Sequence, residues 1–192
     1  LILLPFMIKK AIAEWKELEG KAIGLIFISA LLLALHFASW ISSLEYTNVI
    51  SSVVLVTTTP IWVAAISPWL LGEKVPKKFL IGLIVAFLGI TLLNITGVSS
   101  QVSNEFEKSS NGQNMAIIGN SLALVGAFCA AGYVVIGRIL RKQLSTEAYV
   151  LGVYSISGLI LTSFAIFAVE NSIVTNLSDL KWLFLMALIP QA

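Results

Sequence analysis

The residue of this sequence best suited to chemistry is a single imidazole in the middle of a long apolar segment. His36, the only histidine, belongs to a set of four polar residues spaced 7, 4 and 3 positions apart, which places them on one stripe of a helix. The four are Ser29, His36, Trp40 and Ser43. An ionisable group inside a membrane span is costly and is a functional candidate. Two interpretations stay open: the stripe lines a polar cavity, which its alignment favours, or the imidazole bonds a backbone carbonyl of a neighbouring helix.

Three threonines followed by a proline form a second candidate in the next apolar segment, at Thr57 to Pro60. Pro60 removes a backbone donor and clashes with the preceding turn, so a helix bends there. Threonine hydroxyls can bond back to carbonyls and soften the break. Interrupted helices near the membrane midplane are where transporters place substrate sites. The sequence therefore predicts a hinge at Pro60 with a substrate-lining segment around Thr58, and a static packing kink is the alternative.

Motifs of common catalytic centres are absent from the sequence. It has no HExxH, no GxSxG and no glycine-rich phosphate loop. The single cysteine, Cys129, excludes a disulfide framework and a cysteine-based zinc site. We therefore expect neither enzymatic activity, nor a cofactor, nor a bound metal.

The composition explains where these residues must be positioned. Apolar residues make up 58% of the 192 residues and charged residues 11%, whereas soluble domains carry about 25% charged residues. The net charge of +2 comes without a basic patch. These values exclude an ordinary soluble enzyme, a disordered chain and a nucleic-acid-binding protein. Lipid is the expected solvent.

Continuous apolar runs of about 20 residues predict transmembrane helices rather than barrel strands, which would alternate at period two. The predicted spans are Ala22–Leu44, Asn48–Leu71, Phe79–Gly97, Met115–Gly137 and Ala148–Val169. Two further runs, Leu1–Ile8 and Trp182–Ile189, are too short to span. We expect them to be pieces of two more helices, and the chain to be an internal fragment of a longer protein.

Charge predicts the orientation of the bundle. Of the twelve Lys and Arg residues, all except Lys108 and Lys181 fall in alternate connections. Cytoplasmic loops are enriched in basic residues. We therefore expect the Lys9–Lys21, Lys74–Lys78 and Arg138–Lys142 loops on the cytoplasmic face of the plasma membrane.

The longest connection, Val98–Asn114, is rich in Ser, Asn, Gly and Gln and is the predicted boundary between two halves. The domains expected are residues 1–97, an outer linker over 98–114, and residues 115–192. Stripes of small residues in the third and fourth spans predict close helix packing. They are Gly82, Ala86 and Gly89, then Gly119, Ala123, Gly126, Ala130 and Gly137. The remaining candidate cavity groups are Asn120, Tyr133, Tyr149 and Tyr154.

The stretch from Leu35 to Gly97 places several features in one order. The turn Ser43-Leu44-Glu45-Tyr46-Thr47-Asn48 precedes a helix with a central Pro60 that closes on Leu70-Leu71-Gly72-Glu73. A basic turn and a helix with Gly82, Gly89 and Ile90 follow. This order resembles the EamA-type repeat of the drug/metabolite transporter superfamily. The openings of two later segments, Gly126–Leu140 and Trp182–Pro190, look similar to helices of the second repeat.

The resemblance implies an all-α polytopic membrane protein, here a fragment of a ten-helix bundle made of two inverted five-helix repeats. The fragment would hold the end of helix two, helices three to seven and the start of helix eight. Because five is odd, equivalent helices of the two repeats run antiparallel, which is the layout of an inverted repeat. This agrees with the orientation predicted from charge.

The expected function is transport of small metabolites, amino acids or related polar compounds, by alternating access, with export as the direction. The predicted substrate-binding residues are His36, Ser39, Trp40, Thr58, Asn120 and Tyr154. The expected partners are the lipid bilayer and a small-molecule substrate, with no nucleic acid; a homodimer is left open. The alternative function is a membrane scaffold or subunit without transport.

Overall fold

The computed structural model describes residues 4–95 and 112–168, and every regular element in these two ranges is a helix. The helices are α1 (Leu4–Lys16), α2 (Gly20–Tyr46), α3 (Val49–Val56), α4 (Thr59–Leu71), α5 (Lys77–Ile95), α6 (Gly112–Leu140) and α7 (Thr146–Ala168). The all-α fold class predicted from the sequence is therefore confirmed for the described ranges. The predicted linker over 98–114 falls outside them except for its last three residues, which begin α6, and the run Trp182–Ile189 lies outside them altogether.

Within the described ranges, four helical segments are long and apolar enough to cross a membrane. They are Gly20–Tyr46, Val49–Leu71, Asn114–Leu140 and Thr146–Phe164. Helix α5 covers the remaining predicted span as far as Ile95. The spans predicted from hydropathy thus coincide with helices, and the chain is a multi-pass membrane protein.

The centre of the bundle is the contact between α2 and α6, where small residues bring two backbones together. A Cβ placed on Gly119 would lie 2.8 Å from the backbone nitrogen and the Cβ of Thr47. A Cβ on Gly126 would lie 3.3 Å from the carbonyl oxygen of His36. Between and beside them Ala30, Ala123 and other alanines are fully buried. The packing role predicted for the small residues of α6 is confirmed at these positions, because helices in lipid associate through such close approach.

Helix α7 also packs against α2, and a tyrosine ties the two together. The Tyr149 hydroxyl donates to the Tyr133 carbonyl at 3.1 Å and lies 2.5 Å from the Ser29 hydroxyl. Because Tyr149 has a single hydroxyl proton, Ser29 is the donor in the second bond. The Tyr149 ring also fills the space beside Gly137, where a Cβ would lie 2.8 Å from the tyrosine oxygen.

Helix α1 docks against the beginning of α7. The Trp15 indole donates to the Ala148 carbonyl at 3.2 Å, and its ring covers Gly152 so closely that a side chain there would collide with it. A position near the end of a span predicts an interfacial anchor for Trp15. The structure adds that Trp15 is half-buried and joins two helices, while its role as an anchor stays a prediction.

A carboxylate on α1 caps α7 from outside the helix. The backbone N–H of Ser145 donates to Glu14 Oε2 at 2.8 Å, while the Ser145 hydroxyl accepts from the Ala148 N–H at 3.3 Å. In a capping box the carboxylate comes from the third residue of the same helix. In α7 this third residue is Ala148, which has no carboxylate, so Glu14 of α1 supplies the carboxylate instead. The bond to the Ser145 N–H lowers the pKa of Glu14 below its ordinary value of 4.5.

The ten basic residues in the described ranges lie at one end of the bundle, but the prediction that they occupy loops is wrong for seven of them. Helix α1 extends to Lys16 and carries Lys9 and Lys10, and α2 already includes Lys21. Lys77 and Lys78 open α5, and Arg138 is in the last turn of α6. The connections are only a few residues long, because the helices continue beyond the apolar runs. Lys74, Arg141 and Lys142 do lie in connections.

The close contact at Gly119 predicts a steric effect on stability. Gly119→Ala should lower the free energy of unfolding by about 1–3 kcal/mol relative to Gly24→Ala, because the new Cβ meets backbone atoms that cannot move aside. Gly24 has open space around its Cβ position, so it controls for the helix propensity of alanine. Thermal unfolding of the full-length protein in detergent measures the difference. Equal shifts in the two variants would show that the α2–α6 contact is looser than described.

The lowered pKa of Glu14 predicts a pH dependence of stability. The ionised carboxylate stabilises the fold above pH 4.5, and this contribution is lost as the pH falls through the lowered folded-state value. Glu14→Gln should therefore melt below the wild type at about pH 7, and the two curves should converge toward about pH 3. As a control, Glu17→Gln removes another carboxylate from the same end of the bundle. A difference in melting temperature between Glu14→Gln and the wild type that stays constant at all pH values would contradict the role of the charge.

Candidate functional site

The imidazole of His36 lies in the contact between α2 and α6. Its Nδ1 is 2.9 Å from the carbonyl oxygen of Gly126, so Nδ1 carries the proton and donates. In the neutral ring this leaves Nε2 as an acceptor. Among the described residues, Gly126 is the hydrogen-bond partner of the ring. The structure therefore confirms that the imidazole bonds a backbone carbonyl of a neighbouring helix through Nδ1. A substrate contact through Nε2 stays a prediction.

Trp40 stacks on the same imidazole, one turn further along α2. The two ring centroids are 6.0 Å apart with an interplanar angle of 16°. The indole Nε1 is buried and has no hydrogen-bond partner among the described residues. Indole N–H groups in apolar surroundings usually find an acceptor. Trp40 is thus the member of the polar stripe whose donor is enclosed and has no partner among the described residues.

The hydroxyl groups of the stripe form hydrogen bonds within the helix bundle. Ser43 donates to the Trp40 carbonyl at 2.6 Å and accepts from Ser52 on α3. The Ser29 hydroxyl donates its hydrogen bond to Tyr149, as described above. Ser39, beside the stripe, donates to the Leu35 carbonyl of its own helix at 2.6 Å. The stripe therefore faces helix contacts along most of its length, and His36 and Trp40 carry its remaining hydrogen-bonding capacity.

The second predicted span is interrupted between Val56 and Thr59, directly before Pro60. Pro60 has no N–H to give to the Val56 carbonyl, and the Thr59 hydroxyl donates to that carbonyl instead, at 2.8 Å. The hydroxyls of Thr57 and Thr58 donate to the carbonyls of Val54 and Leu55 in the same way. Three side chains thus take over hydrogen bonds of the broken turn. The bend lies where the sequence places it; its action as a hinge stays a prediction.

Thr58 has a second contact that limits its chemistry. Its hydroxyl oxygen accepts from the Trp62 indole at 3.3 Å while its proton goes to the Leu55 carbonyl. The Trp62 ring meets Phe128 of α6 edge-on, with centroids 5.6 Å apart. Phe128 lies two residues from Gly126, about 200° around α6. Thr58 and His36 therefore approach α6 from different sides.

Asn120 and Tyr154 lie apart from the His36 cluster. The Asn120 side-chain oxygen accepts from Thr47 at 2.9 Å, in the turn between α2 and α3. The neighbouring Asn48 caps α3 by accepting from the Ser51 N–H at 2.8 Å. Tyr154 is about half exposed and meets Tyr133 edge-on, with centroids 6.4 Å apart. The six predicted residues thus form one cluster of three (His36, Ser39 and Trp40) and three separate positions.

A polar cleft that the sequence reasoning missed lies at the basic end. Glu73 Oε2 and Arg138 Nη2 are 3.0 Å apart, which joins the turn after α4 to the end of α6. The sequence predicts that Glu73 holds the cytoplasmic turn near Lys74 rather than touching substrate, and the structure pairs it with Arg138 of α6. Gly72, at φ 66°, ends α4 and makes the turn that presents Glu73. The adjoining cavity measures about 670 Å³ and is also lined by Ser67, whose buried hydroxyl has no partner among the described residues.

In residues 4–95 and 112–168, no three His, Cys, Asp or Glu side chains lie close enough together to hold a metal ion. The chemistry that these positions offer is hydrogen bonding, stacking and ion pairing.

Comparison with known proteins places these features in a family. The sequence profile of the EamA-like transporter family matches residues 1–95, which include His36, the α3–α4 interruption and Glu73. Residues 1–95 are thus similar to the EamA-like transporter family, in agreement with the resemblance of Leu35–Gly97 noted in the sequence. The chain is also 28% identical over 142 residues to the uncharacterized transporter YetK of Bacillus subtilis (strain 168). That alignment covers 74% of the chain and 40% of YetK, so the chain spans less than half of this relative. No solved structure matches the chain.

The Nδ1 bond of His36 predicts which substitution the fold tolerates. Asparagine can place its amide N–H near the position of Nδ1 and keep the bond to Gly126, whereas alanine removes it. His36→Ala should lower the free energy of unfolding by about 1 kcal/mol or more, and His36→Asn by clearly less. Thermal unfolding of the full-length protein in detergent tests this. Equal losses in both variants would mean that the ring contributes by packing rather than through Nδ1.

Proposed function

We propose that this chain is part of a multi-pass transporter that moves small polar metabolites, amino acids or related compounds, across the plasma membrane. The observation that carries the proposal is the family match of residues 1–95, in a chain with four helical segments apolar enough to span the bilayer. The proposed direction is export. The proposed complete protein has ten helices in two inverted repeats, of which residues 1–97 and 115–192 represent parts.

The proposed mechanism is alternating access, in which the two repeats rock around a site between them. The α2–α6 contact supports this, because α2 belongs to the first proposed repeat and α6 to the second. The interruption at Thr57 and Thr58 allows α3 and α4 to change their angle. Pro60 acts there as the hinge, since its missing N–H leaves the turn without one backbone bond.

The proposed cargo contacts near the centre are His36 and Trp40. Nε2 of His36 accepts a hydrogen bond from the cargo, and Nε1 of Trp40 donates one. The support is that Nδ1 is already bonded to Gly126 while Nε1 has no partner among the described residues. His36 is also the group proposed to exchange a proton if transport is proton-coupled, because an imidazole nitrogen can both accept and release a proton. The secondary candidates for cargo binding would need to rearrange to reach the same cargo. They are Ser39, Thr58, Asn120 and Tyr154.

The orientation is proposed from charge: the end of the bundle with Lys74, Arg138 and Arg141 faces the cytoplasm. The proposed partners are the lipid bilayer and the small-molecule cargo, and a homodimer is an assembly to be tested by sizing in detergent.

A flux measurement with paired variants tests the transport proposal. Full-length protein in proteoliposomes should take up a labelled amino-acid mixture in a saturable manner. His36→Asn keeps the Nδ1 bond but loses Nε2, and Trp40→Phe keeps the stacked ring but loses Nε1. Each should reduce flux about tenfold, the effect of one lost hydrogen bond of about 1.4 kcal/mol. Ile28→Val, on an exposed face of α2, should retain wild-type flux.

The outcomes separate the candidate functions. Wild-type flux in both His36→Asn and Trp40→Phe would contradict the proposed central contacts but keep the transporter. Absence of saturable flux from folded wild-type protein, for every amino acid in the mixture, would overturn the amino-acid cargo. It would favour the scaffold alternative, in which the polar residues serve helix contacts alone.

A further inference from the structure

The cleft at the basic end combines apolar walls with charged groups. It lies between the last turns of α4, the turn that follows, the start of α5 and the end of α6, and its volume is about 670 Å³. Ser67 borders it, but the hydroxyl oxygen of this serine is enclosed and not available to a ligand. The apolar residues that line the cleft are Val63, Ala64, Val75, Pro76 and Phe79, and the charged ones are Glu73, Lys74 and Arg138.

The charged side chains leave an excess of positive charge in the cleft. Glu73 Oε2 lies 3.0 Å from Nη2 of Arg138, so this carboxylate is already neutralised. Lys74 is exposed beside the pair, and its ammonium forms no salt bridge with a carboxylate among the described residues. A guanidinium has five N–H donors, and the contact with Glu73 occupies one nitrogen. The remaining donors of Arg138 and the ammonium of Lys74 suit a phosphate group, which both side chains bind well.

The start of α5 adds positive charge at the same place. Lys77 and Lys78 open this helix, and its first turn contains no Asp or Glu. The positive end of the helix dipole lies there, so cations are unfavourable at these positions and an anion is favourable. Pro76 and Phe79, on either side of the two lysines, both line the cleft. An anion bound in the cleft therefore offsets the charge at the start of α5.

Trp69 indicates the depth at which the cleft lies in the membrane. Its side chain is 93% exposed and lies near the end of α4, four residues before Glu73. Exposed tryptophans at the ends of membrane spans lie at the level of the lipid headgroups. Val63 comes six residues before Trp69, which is about 9 Å further along the helix toward the acyl chains. The charged part of the cleft thus lies at headgroup depth and its apolar part lies deeper.

This arrangement favours a lipid over a soluble anion. A free phosphate ion would use the cations and leave the apolar walls without a partner. A lipid without net charge would leave the excess positive charge uncompensated. Basic pockets between membrane helices bind the headgroups of anionic lipids. An anionic phospholipid has both the charge and the hydrocarbon that the lining of this cleft matches.

We propose that the cleft binds one anionic phospholipid, with its phosphate on Lys74 and the free N–H groups of Arg138, and with an acyl chain along Val63 and Phe79. Lys74 follows α4 and Arg138 belongs to α6, so the lipid joins the same two parts of the bundle as the Glu73–Arg138 pair. The site depends neither on the proposed cargo nor on transport.

Native mass spectrometry of the full-length protein tests the inference, because it counts the lipid molecules that the protein retains. Protein in a non-ionic detergent is titrated with phosphatidylglycerol, or with phosphatidylcholine of the same acyl chains. The first phosphatidylglycerol should bind at least about tenfold more tightly than phosphatidylcholine. Lys74→Gln should reduce this affinity about fivefold, the contribution of one basic residue at a membrane surface, and should leave phosphatidylcholine binding unchanged.

The two members of the ion pair separate a lipid site from a clamp between helices. Arg138→Gln should weaken phosphatidylglycerol binding more than Lys74→Gln does, because it also leaves the Glu73 carboxylate uncompensated in the cleft. Glu73→Gln should bind phosphatidylglycerol at least as tightly as the wild type, because it removes a negative charge and frees Arg138. If the pair acted only as a clamp, both variants would weaken binding.

Matched controls guard against effects on folding and against diffuse attraction. Lys142→Gln removes an exposed lysine from the same end that does not line the cleft, and it should keep the wild-type affinity. Lys74 is exposed in the turn, so Lys74→Gln should fold normally and keeps the test valid if Arg138→Gln is unstable. Excess inorganic phosphate should not displace the lipid, because it has no acyl chain.

Four results would overturn the inference. The first is equal affinity for phosphatidylglycerol and phosphatidylcholine. The second is an equal loss in Lys74→Gln and Lys142→Gln, which would mean that the basic end attracts anionic lipids diffusely. The third is a loss in Glu73→Gln as large as that in Arg138→Gln, which would leave only the clamp. The fourth is displacement by inorganic phosphate, which would make the ligand a soluble anion.

Discussion

The rest of the bundle depends on the distance between the backbones of α2 and α6. In lipid, apolar side chains gain little by leaving their solvent for one another, so helices associate through close packing and the polar bonds that it permits. Glycine at positions 119 and 126 and buried alanines around them bring the two helices close enough for the Gly126 carbonyl to reach His36 and for Asn120 to reach Thr47. Larger residues there would separate both pairs.

Most polar groups in this bundle have a partner, because an unpaired one inside a membrane is expensive. The threonines at the interruption, Ser29 with Tyr149, and Ser43 with Ser52 follow this rule. Against that background two exceptions stand out among the described residues: the indole of Trp40 and the hydroxyl of Ser67. They lie at different depths of the bundle, one beside the imidazole and one in the charged cleft.

The sequence predicts those parts of the structure that depend on one helix at a time. Span positions follow from the thickness of the bilayer, and the break before Pro60 follows from its missing N–H. The partners of the polar residues could not be predicted, because they depend on which helix faces which. Gly126 as the partner of His36, and Arg138 as the partner of Glu73, are 90 and 65 positions away in the chain. Charge counting located the basic end, but it could not show that the helices continue through most of those residues.

The distance along the chain between His36 and Gly126 also sets the order in which the protein can be assembled. A ribosome adds about 5–20 residues per second, so α6 is completed several seconds or more after α2 enters the membrane. During that interval the imidazole has no carbonyl from α6 to bond, and the glycine-lined face that receives α2 does not yet exist. Until α6 arrives, α2 can span the bilayer by its own length and composition, but the Nδ1–H of His36 needs another acceptor, such as water.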